Sequence, residues 1–247
     1  MVIFSCRKND HSTAAETYRF GYADSILYLK SGPADYLVNP VQQRNGTYSA
    51  FPEGLEINER TGVINVSRSE TGLRYRVDFT SEDGQRFSTK VVVSGINYAD
   101  QYYYLSASDT IVRPIYNADP LRPLTVAGSV FDEGRLANNS GCSMATEDGK
   151  INLASSIRQG LFGKPAKFGA AAEVETRYRL NDGSNKAQNG LKVKFYFYRR
   201  KTDVPQDLLQ LLNDRQGMFF RTADISKTSR EALAKPRPPC IIVLAEQ

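Results

Sequence analysis

Residues 51–64 read FPEGLEINERTGVI, and this stretch decides the fold. Leu55 and Ile57 lie two positions apart, so in an extended chain both side chains point to the same side. Thr61-Gly62 then predicts a turn, because glycine adopts backbone angles that other residues avoid. Apolar residues resume directly after that turn. The stretch therefore predicts two short strands that share one apolar face.

Further strands are predicted on both sides of this stretch. Upstream, residues 25–29 and 36–38 each form a short apolar run. Downstream, residues 73–80 alternate between apolar and polar side chains, which is typical of a strand with one buried face. Residues 82–85 predict a hairpin turn, and 87–96 predict the return strand. Short strands separated by frequent turns indicate a β-sandwich.

The same region resembles a known family of domains. Residues 52–64 match the pattern P-x-G-L-x-I followed by T-G-x-I, and residues 72–77 (GLRYRV) supply a later strand with Gly, Tyr and Val. This combination is similar to bacterial immunoglobulin-like and cadherin-like domains. The resemblance covers residues 21–97 and implies an immunoglobulin-like β-sandwich. It implies little about function, because one fold serves many functions.

The rest of the chain predicts a β-rich α+β domain. A helix is predicted over 151–161, and a second helix begins at Asp203 as N-cap, has Pro205 in its first turn and ends near Gly217. The remaining pattern predicts strands at 110–116, 124–131, 172–180, 191–199 and 239–244. We therefore expect a mainly β protein with three parts: 1–20 as a tether, 21–97 as the sandwich and 98–247 as the second domain.

The first ten residues, MVIFSCRKND, suggest a lipid anchor. Ile3, Ser5 and Cys6 resemble the lipobox of bacterial lipoproteins, and the charged residues 7–10 resemble the tether of surface lipoproteins from the Bacteroidota. The resemblance implies acylation of Cys6 and a place on the outer membrane, exposed at the cell surface. Two or more acyl chains give a stable anchor. The alternative is a chance cysteine in an ordinary N-terminus.

Composition and motifs argue against several functions. A net charge of +5, with no basic run longer than residues 199–201, does not indicate nucleic-acid binding. The single histidine, His11, lies in the predicted tether, and the chain has no GxSxG motif and no metal or cofactor motif. A glycosidase needs only two carboxylates, and the candidates for that role are Asp132, Glu133, Glu173 and Glu175. The sequence cannot pair these across a site, and we expect them on a solvated face. The chain is predicted not to be an enzyme.

Two other groups of residues are candidates for structure or binding. Cys142 and Cys240 either form a disulfide or remain as two buried thiols. Exposed tyrosines are common at interfaces, and the candidate interaction residues are Tyr102, Tyr103, Tyr104, Tyr196 and Tyr198. The alternative is that these tyrosines alternate across strands and pack on both faces.

The leading functional hypothesis is a non-enzymatic accessory or binding subunit of an outer-membrane protein complex for barrel assembly, nutrient uptake or secretion. Its partners would be proteins of that complex and the membrane, through Cys6. The second hypothesis is a glycan-binding or adhesion lipoprotein, in which tyrosines stack on sugars. An enzyme in the second domain is the third.

Overall fold

The computed structural model describes residues 18–106, 110–215 and 238–246. The chain is mainly β, as predicted. In the first unit the structure contains the strands β1 (Ile26–Leu27), β2 (Leu37–Val38), β3 (Gly46–Phe51), β4 (Ile64–Asn65), β5 (Leu73–Ser81) and β6 (Arg86–Val93). Cys6 and residues 1–17 of the predicted tether lie outside the described residues, whereas Tyr18 and Phe20, which were assigned to the tether, pack against the sandwich.

These strands form an immunoglobulin-like β-sandwich. One sheet has the order β1-β6-β5-β3, in which β1 runs parallel to β6, and β2 pairs with β4 in the other layer. The neighbours β6, β5 and β3 correspond to the G, F and C strands of immunoglobulin domains, and β2 and β4 correspond to B and E. Side chains from both layers meet in one buried cluster that includes Leu27, Ile64, Val77 and Val91.

The stretch that predicted the fold closes this sandwich. Leu55 is buried, and Ile57 forms an isolated bridge to Ile64. Gly62 adopts a φ of +69°, and a Cβ there would lie 2.6 Å from the Tyr48 ring. Only glycine therefore fits this turn without strain.

The predicted hairpin over 73–96 is also present. Along β5 the residues at Leu73, Tyr75, Val77 and Phe79 are buried, and the residues between them are not. The Tyr75 hydroxyl donates a 2.9 Å hydrogen bond to the carbonyl of Glu70. This bond from the start of a strand back to the preceding loop resembles the tyrosine corner of immunoglobulin folds.

The second unit is built on one mixed sheet. The elements in it and around it are β7 (Ile96–Asn97), β8 (Gln101–Tyr104), β9 (Ile111–Val112), β10 (Ile115–Tyr116), α1 (Leu136–Asn139), β11 (Ile151–Asn152), α2 (Leu153–Gln159), β12 (Ala170–Arg179), β13 (Gln188–Tyr198), α3 (Gln206–Arg215) and β14 (Cys240–Leu244). The sheet order is β12-β13-β14-β8, with β12 and β13 antiparallel and the other pairs parallel. The strands predicted at 172–180 and 191–199 are thereby confirmed as β12 and β13, which form an antiparallel hairpin.

Each face of this sheet packs against a different part of the chain. On one face Val193, Phe195 and Val243 belong to a cluster that also holds residues of α1 and α2. On the other face Ile242 and Leu244 pack against α3. Strand β14 is buried over its whole length because both of its faces are covered.

Two predicted strands differ from those observed. The segment 124–131 is largely irregular: only Val130 bridges Arg179, and a turn with Gly128 at φ +74° interrupts the extended chain. The segment 110–116 is divided at Pro114 into β9 and β10, which pair with different strands. Proline donates no hydrogen bond, so a continuous ladder cannot pass through it.

The helix predictions were right in position and partly wrong in detail. The helix predicted over 151–161 starts later, at Leu153, because Ile151 and Asn152 form β11. Asn152 caps α2, and its side-chain oxygen accepts from the backbone N–H of Ser155 at 2.8 Å. Asp203 is not the cap of α3. It ends a short 3₁₀ turn, where its carboxylate accepts from the backbone N–H of Arg200 at 2.9 Å. Gly217 lies outside the described residues.

Candidate functional site: the groove between the two units

A groove of about 420 Å³ lies where the sandwich meets the second unit. The 67–71 corner of the sandwich, which precedes β5, forms one wall. The first half of β13, residues 188–192, forms the other wall, and Pro238-Pro239 closes the end where β14 begins. The larger apolar side chains in the lining are those of Leu29 and Leu191. This volume falls in the usual range for ligand sites.

Two buried side-chain amides, those of Asn97 in β7 and Asn189 in β13, line the groove. Asn97 and Asn189 are each only 8 % exposed. The side-chain oxygen of Asn97 accepts from the backbone N–H of Tyr98 at 2.8 Å, which fixes the orientation of that side chain. Within residues 18–106, 110–215 and 238–246, no hydrogen bond engages the Asn189 amide. An amide offers donors and acceptors together, so the groove suits a neutral polar ligand.

A hydroxyl network fixes the two walls relative to each other. The fully buried Tyr178 of β12 accepts at its hydroxyl from the backbone N–H of Ile96 at 3.1 Å, and the same oxygen lies 3.0 Å from Oγ1 of Thr71. Thr71 lines the groove, so this network holds the sandwich wall in place. Burial raises the pKa of Tyr178 above its ordinary value, so the hydroxyl stays protonated at physiological pH.

A second contact between the units is made by Asp182. Its carboxylate Oδ2 accepts from the Tyr116 hydroxyl at 2.6 Å and from Ser94 Oγ at 3.1 Å. Ser94 follows the last strand of the sandwich, and Asp182 lies in the β12–β13 hairpin. Burial and the nearby Asp182 charge raise the pKa of Tyr116. The two units are therefore joined by hydrogen bonds as well as by the chain.

The predicted tyrosines do not form one exposed patch. Tyr102 and Tyr104 lie on the face of β8 that packs with α3, whereas Tyr103 is buried on the opposite face. Tyr196 and Tyr198 lie on the α3 face as well. The structure thus brings four of the five together, half-buried around Ile242 and Leu244, and the fifth packs elsewhere. This is the alternation that the packing interpretation predicted.

Cys142 and Cys240 remain separate thiols, so the disulfide considered from the sequence is absent. Cys142 is buried in the cluster beneath α1 and α2, and Cys240 is buried on the α3 face. The sheet lies between the two clusters and keeps the sulfur atoms apart. Burial raises the pKa of Cys142 to about 12, so this thiol is not a reactive nucleophile at neutral pH.

The carboxylates considered for catalysis are engaged in structural contacts. Asp132 is buried, and its carboxylate accepts from the backbone N–H groups of α1, including that of Ala137 at 2.8 Å. Glu133 pairs with Arg179 at 2.8 Å, Glu173 lies 3.3 Å from Lys192, and Glu175 lies 3.5 Å from an arginine of its own strand. The structure does not bring these four together in a cleft.

In the described part of the chain, no group of three or more His, Cys, Asp or Glu residues is arranged to hold a metal ion. None of the helices in that part combines the length and apolar character that crossing a membrane requires.

No pattern in the sequence marks the residues that line the groove. Asn97 and Asn189 are isolated polar residues next to strands, and nothing in the sequence distinguishes them from solvated ones. The one available signal was Gly190, since a glycine inside a strand pattern often marks a close approach of another backbone.

The fold and the groove define a class, an immunoglobulin-like β-sandwich joined to a second β-rich unit. Comparisons with known proteins do not identify a more specific class for this chain. No family model matches the chain, and no curated protein matches it. Among solved structures, the ectodomain of human desmocollin-1 is similar over 70 % of this chain, with 12 % identity and a TM-score of 0.24. This chain covers 35 % of that protein, about a third of its length. A TM-score this low supports no conclusion about the present chain.

Proposed function

We propose that this protein is a non-enzymatic accessory subunit of an outer-membrane protein complex, anchored through acyl chains on Cys6 and exposed at the cell surface. In this proposal it binds a protein partner in the groove between its two units. The observation that carries the proposal is the placement of the groove relative to the point where the tether enters the fold.

The tether enters at one end of the sandwich. Tyr18 packs edge-on against Phe87 and Phe79, with ring centroids 4.8 and 5.7 Å apart. Both phenylalanines lie near the turn between β5 and β6. Thr71, in the groove wall, precedes the opposite end of β5. Leu73 and Phe79 are six residues apart along β5, and at about 3.3 Å per residue the two ends are separated by about 20 Å. Tyr18, the first described residue after the tether, therefore lies at the end of the sandwich opposite the groove.

A second candidate, glycan binding, is favoured by one observation. Asn97 and Asn189 line the groove with amide groups, which can donate to and accept from sugar hydroxyls. The tyrosines first considered for this role are half-buried beneath α3 or fully buried, so stacking on them has less support than before.

The anchor can be tested by mass. Protein extracted from bacterial membranes is expected to carry acyl groups on Cys6, and a Cys6→Ala variant is expected in the soluble fraction. Recovery of the unmodified wild-type protein from the soluble fraction would contradict the anchor.

The accessory role can be tested by native purification. Detergent extracts passed over the tagged protein should yield a stoichiometric outer-membrane partner, with the Cys6→Ala variant as control. A glycan array probed with the same protein separates the two candidates, because the accessory role predicts no saturable binding to any polysaccharide.

A further inference from the structure

Among the described residues, no strand pairs with the edge of β13 that forms a wall of the groove. Lys194 donates its backbone N–H to the carbonyl of Pro239 at 2.8 Å, so its peptide group points toward β14 and away from β12. Peptide groups along a strand alternate in direction. Those of Lys192 and Gly190 therefore point the same way as that of Lys194, which is into the groove.

The neighbouring strand β12 independently indicates that these groups of β13 point into the groove. Arg177 and Arg179 of β12 are the register partners of Gly190 and Gln188. The carbonyl of Arg177 accepts from the backbone N–H of Glu133, and Arg179 exchanges backbone hydrogen bonds with Val130. Their peptide groups are thus turned away from β13. In an antiparallel pair this identifies non-hydrogen-bonded positions, whose partners on β13 also point outward.

Nothing in the described chain pairs with this edge. Strand β14 begins at Cys240, opposite Lys194, and so leaves Gly190 and Lys192 beyond its start. Pro238 and Pro239 have no backbone N–H, and the carbonyl of Pro239 is already occupied by Lys194. In the three described ranges, no backbone hydrogen bond engages the groove-facing peptide groups of Gly190 and Lys192. Gly190 is exposed and carries no side chain, so another backbone can approach closely.

Charge favours a neutral occupant. The cations on the groove walls already have anionic partners: Arg68 lies 2.8 Å from Asp35, and Lys192 lies 3.3 Å from Glu173. The groove therefore offers no concentrated positive charge to a phosphate or a nucleic acid. It presents the main-chain donors and acceptors of β13 together with the side-chain amides of Asn97 and Asn189, and this arrangement matches an extended peptide backbone.

We propose that an extended peptide segment of the partner protein adds to the second unit as a strand, alongside residues 188–192 of β13 and against the 67–71 corner. This inference rests on the accessory function proposed above. The added strand would exchange hydrogen bonds with Gly190 and Lys192, and alternate side chains would meet Leu191 and the amides of Asn97 and Asn189. Main-chain bonds would supply affinity, and the lining side chains would select the sequence.

The open edge is tested first on the whole chain by amide hydrogen exchange. The N–H groups of Gly190 and Lys192 should exchange at least 100-fold faster than those of Leu191 and Val193, which point toward β12. Equal protection of all four would show that the edge is already paired within the chain and would overturn the inference.

Strand addition is tested with linear 12-residue peptides selected from a phage-displayed library on the full-length protein. Gly190→Pro removes the groove-facing N–H and leaves the ladder to β12 intact. Gly190→Ala is the matched control, because it keeps that N–H and its Cβ meets only the carbonyl of Thr176 at 3.8 Å. Selected peptides should bind the wild type and Gly190→Ala equally and Gly190→Pro at least tenfold more weakly.

Three outcomes would overturn the inference. The first is that the library yields no binding peptide. The second is that a selected peptide binds Gly190→Pro as tightly as the wild type while the N–H groups of Leu191 and Val193 remain protected from exchange. The third is that a saccharide displaces the selected peptides. If Gly190→Pro still retains the natural partner, strand addition fails and the accessory function stands. If the wild-type protein retains no partner, the accessory function fails. Peptide binding to the wild type and to the Gly190 variants then still tests whether a strand can add to β13.

Discussion

Tyr178→Phe removes one oxygen atom at the junction between the two units, and its effect can be worked out from the structure. The hydroxyl is completely buried, accepts from the N–H of Ile96 at 3.1 Å and lies 3.0 Å from Oγ1 of Thr71. Without it, the buried N–H of Ile96 loses its acceptor, which costs about 1–3 kcal/mol. We expect a loss near 2 kcal/mol in the free energy of unfolding. For a chain of this length, that lowers Tm by about 4–8 °C.

The assay is urea unfolding followed by circular dichroism, with Tyr104→Phe as the matched control. Among the described residues no hydrogen bond engages the Tyr104 hydroxyl, and that side chain is only half-buried. The control should remain within about 0.5 kcal/mol of wild type. A Thr71→Val substitution in the Tyr178→Phe background should cost less than it does alone. If Tyr178→Phe is as stable as Tyr104→Phe, the network does not hold the groove walls as argued.

Three further predictions concern other parts of the molecule. Gly62→Ala should lose at least about 2 kcal/mol in urea unfolding, because the left-handed backbone is strained and the added Cβ meets the Tyr48 ring; a neutral effect would contradict the turn geometry. Glu133 has a lowered pKa because of its hydrogen bonds to Gln188 and Arg179, so its stabilisation is present above the ordinary glutamate pKa and is lost as the pH falls below it. Glu133→Gln should flatten that acid dependence of Tm, and an unchanged slope would exclude this group. Cys142 has a pKa raised to about 12, so the stability due to its buried neutral thiol is complete below the ordinary value near 9 and declines as the pH rises toward 12. The thiol should react with a disulfide reagent at neutral pH only after unfolding, and rapid native labelling would contradict its burial.

The sandwich was predictable because its information is local. Residues 51–64 combine a period-two apolar pattern with a turn that only glycine fits, and residues 73–96 form a hairpin of adjacent strands. The same holds for the β12–β13 hairpin. In each case the pairing partners are close in sequence, so pattern and turn chemistry are sufficient.

The predictions that were wrong, and the groove that was not predicted, depend on interactions that a local sequence pattern does not contain. The segment 124–131 has the apolar residues of a strand, but its turn at Gly128 breaks the extended chain. Asp203 has the chemistry of a helix cap, yet the competing 3₁₀ turn takes its carboxylate. The groove could not be predicted because its walls, 67–71 and 188–192, come from distant parts of the sequence. Their contact depends on how the two units dock, and no local pattern encodes that docking.

The position of β14 has a consequence for how the protein is made. This strand is the last described element of the chain, yet it lies inside the sheet, between β13 and β8, and forms the only ladder that the structure shows between those two strands. A nascent chain that has not yet reached residue 240 lacks the strand that pairs with both β13 and β8. The second unit therefore completes this sheet only after residues 240–244 have been synthesised, whereas all of the described strands of the sandwich end by residue 93. Loss of residues 240–244 would therefore remove a strand from the centre of the sheet and not from its edge.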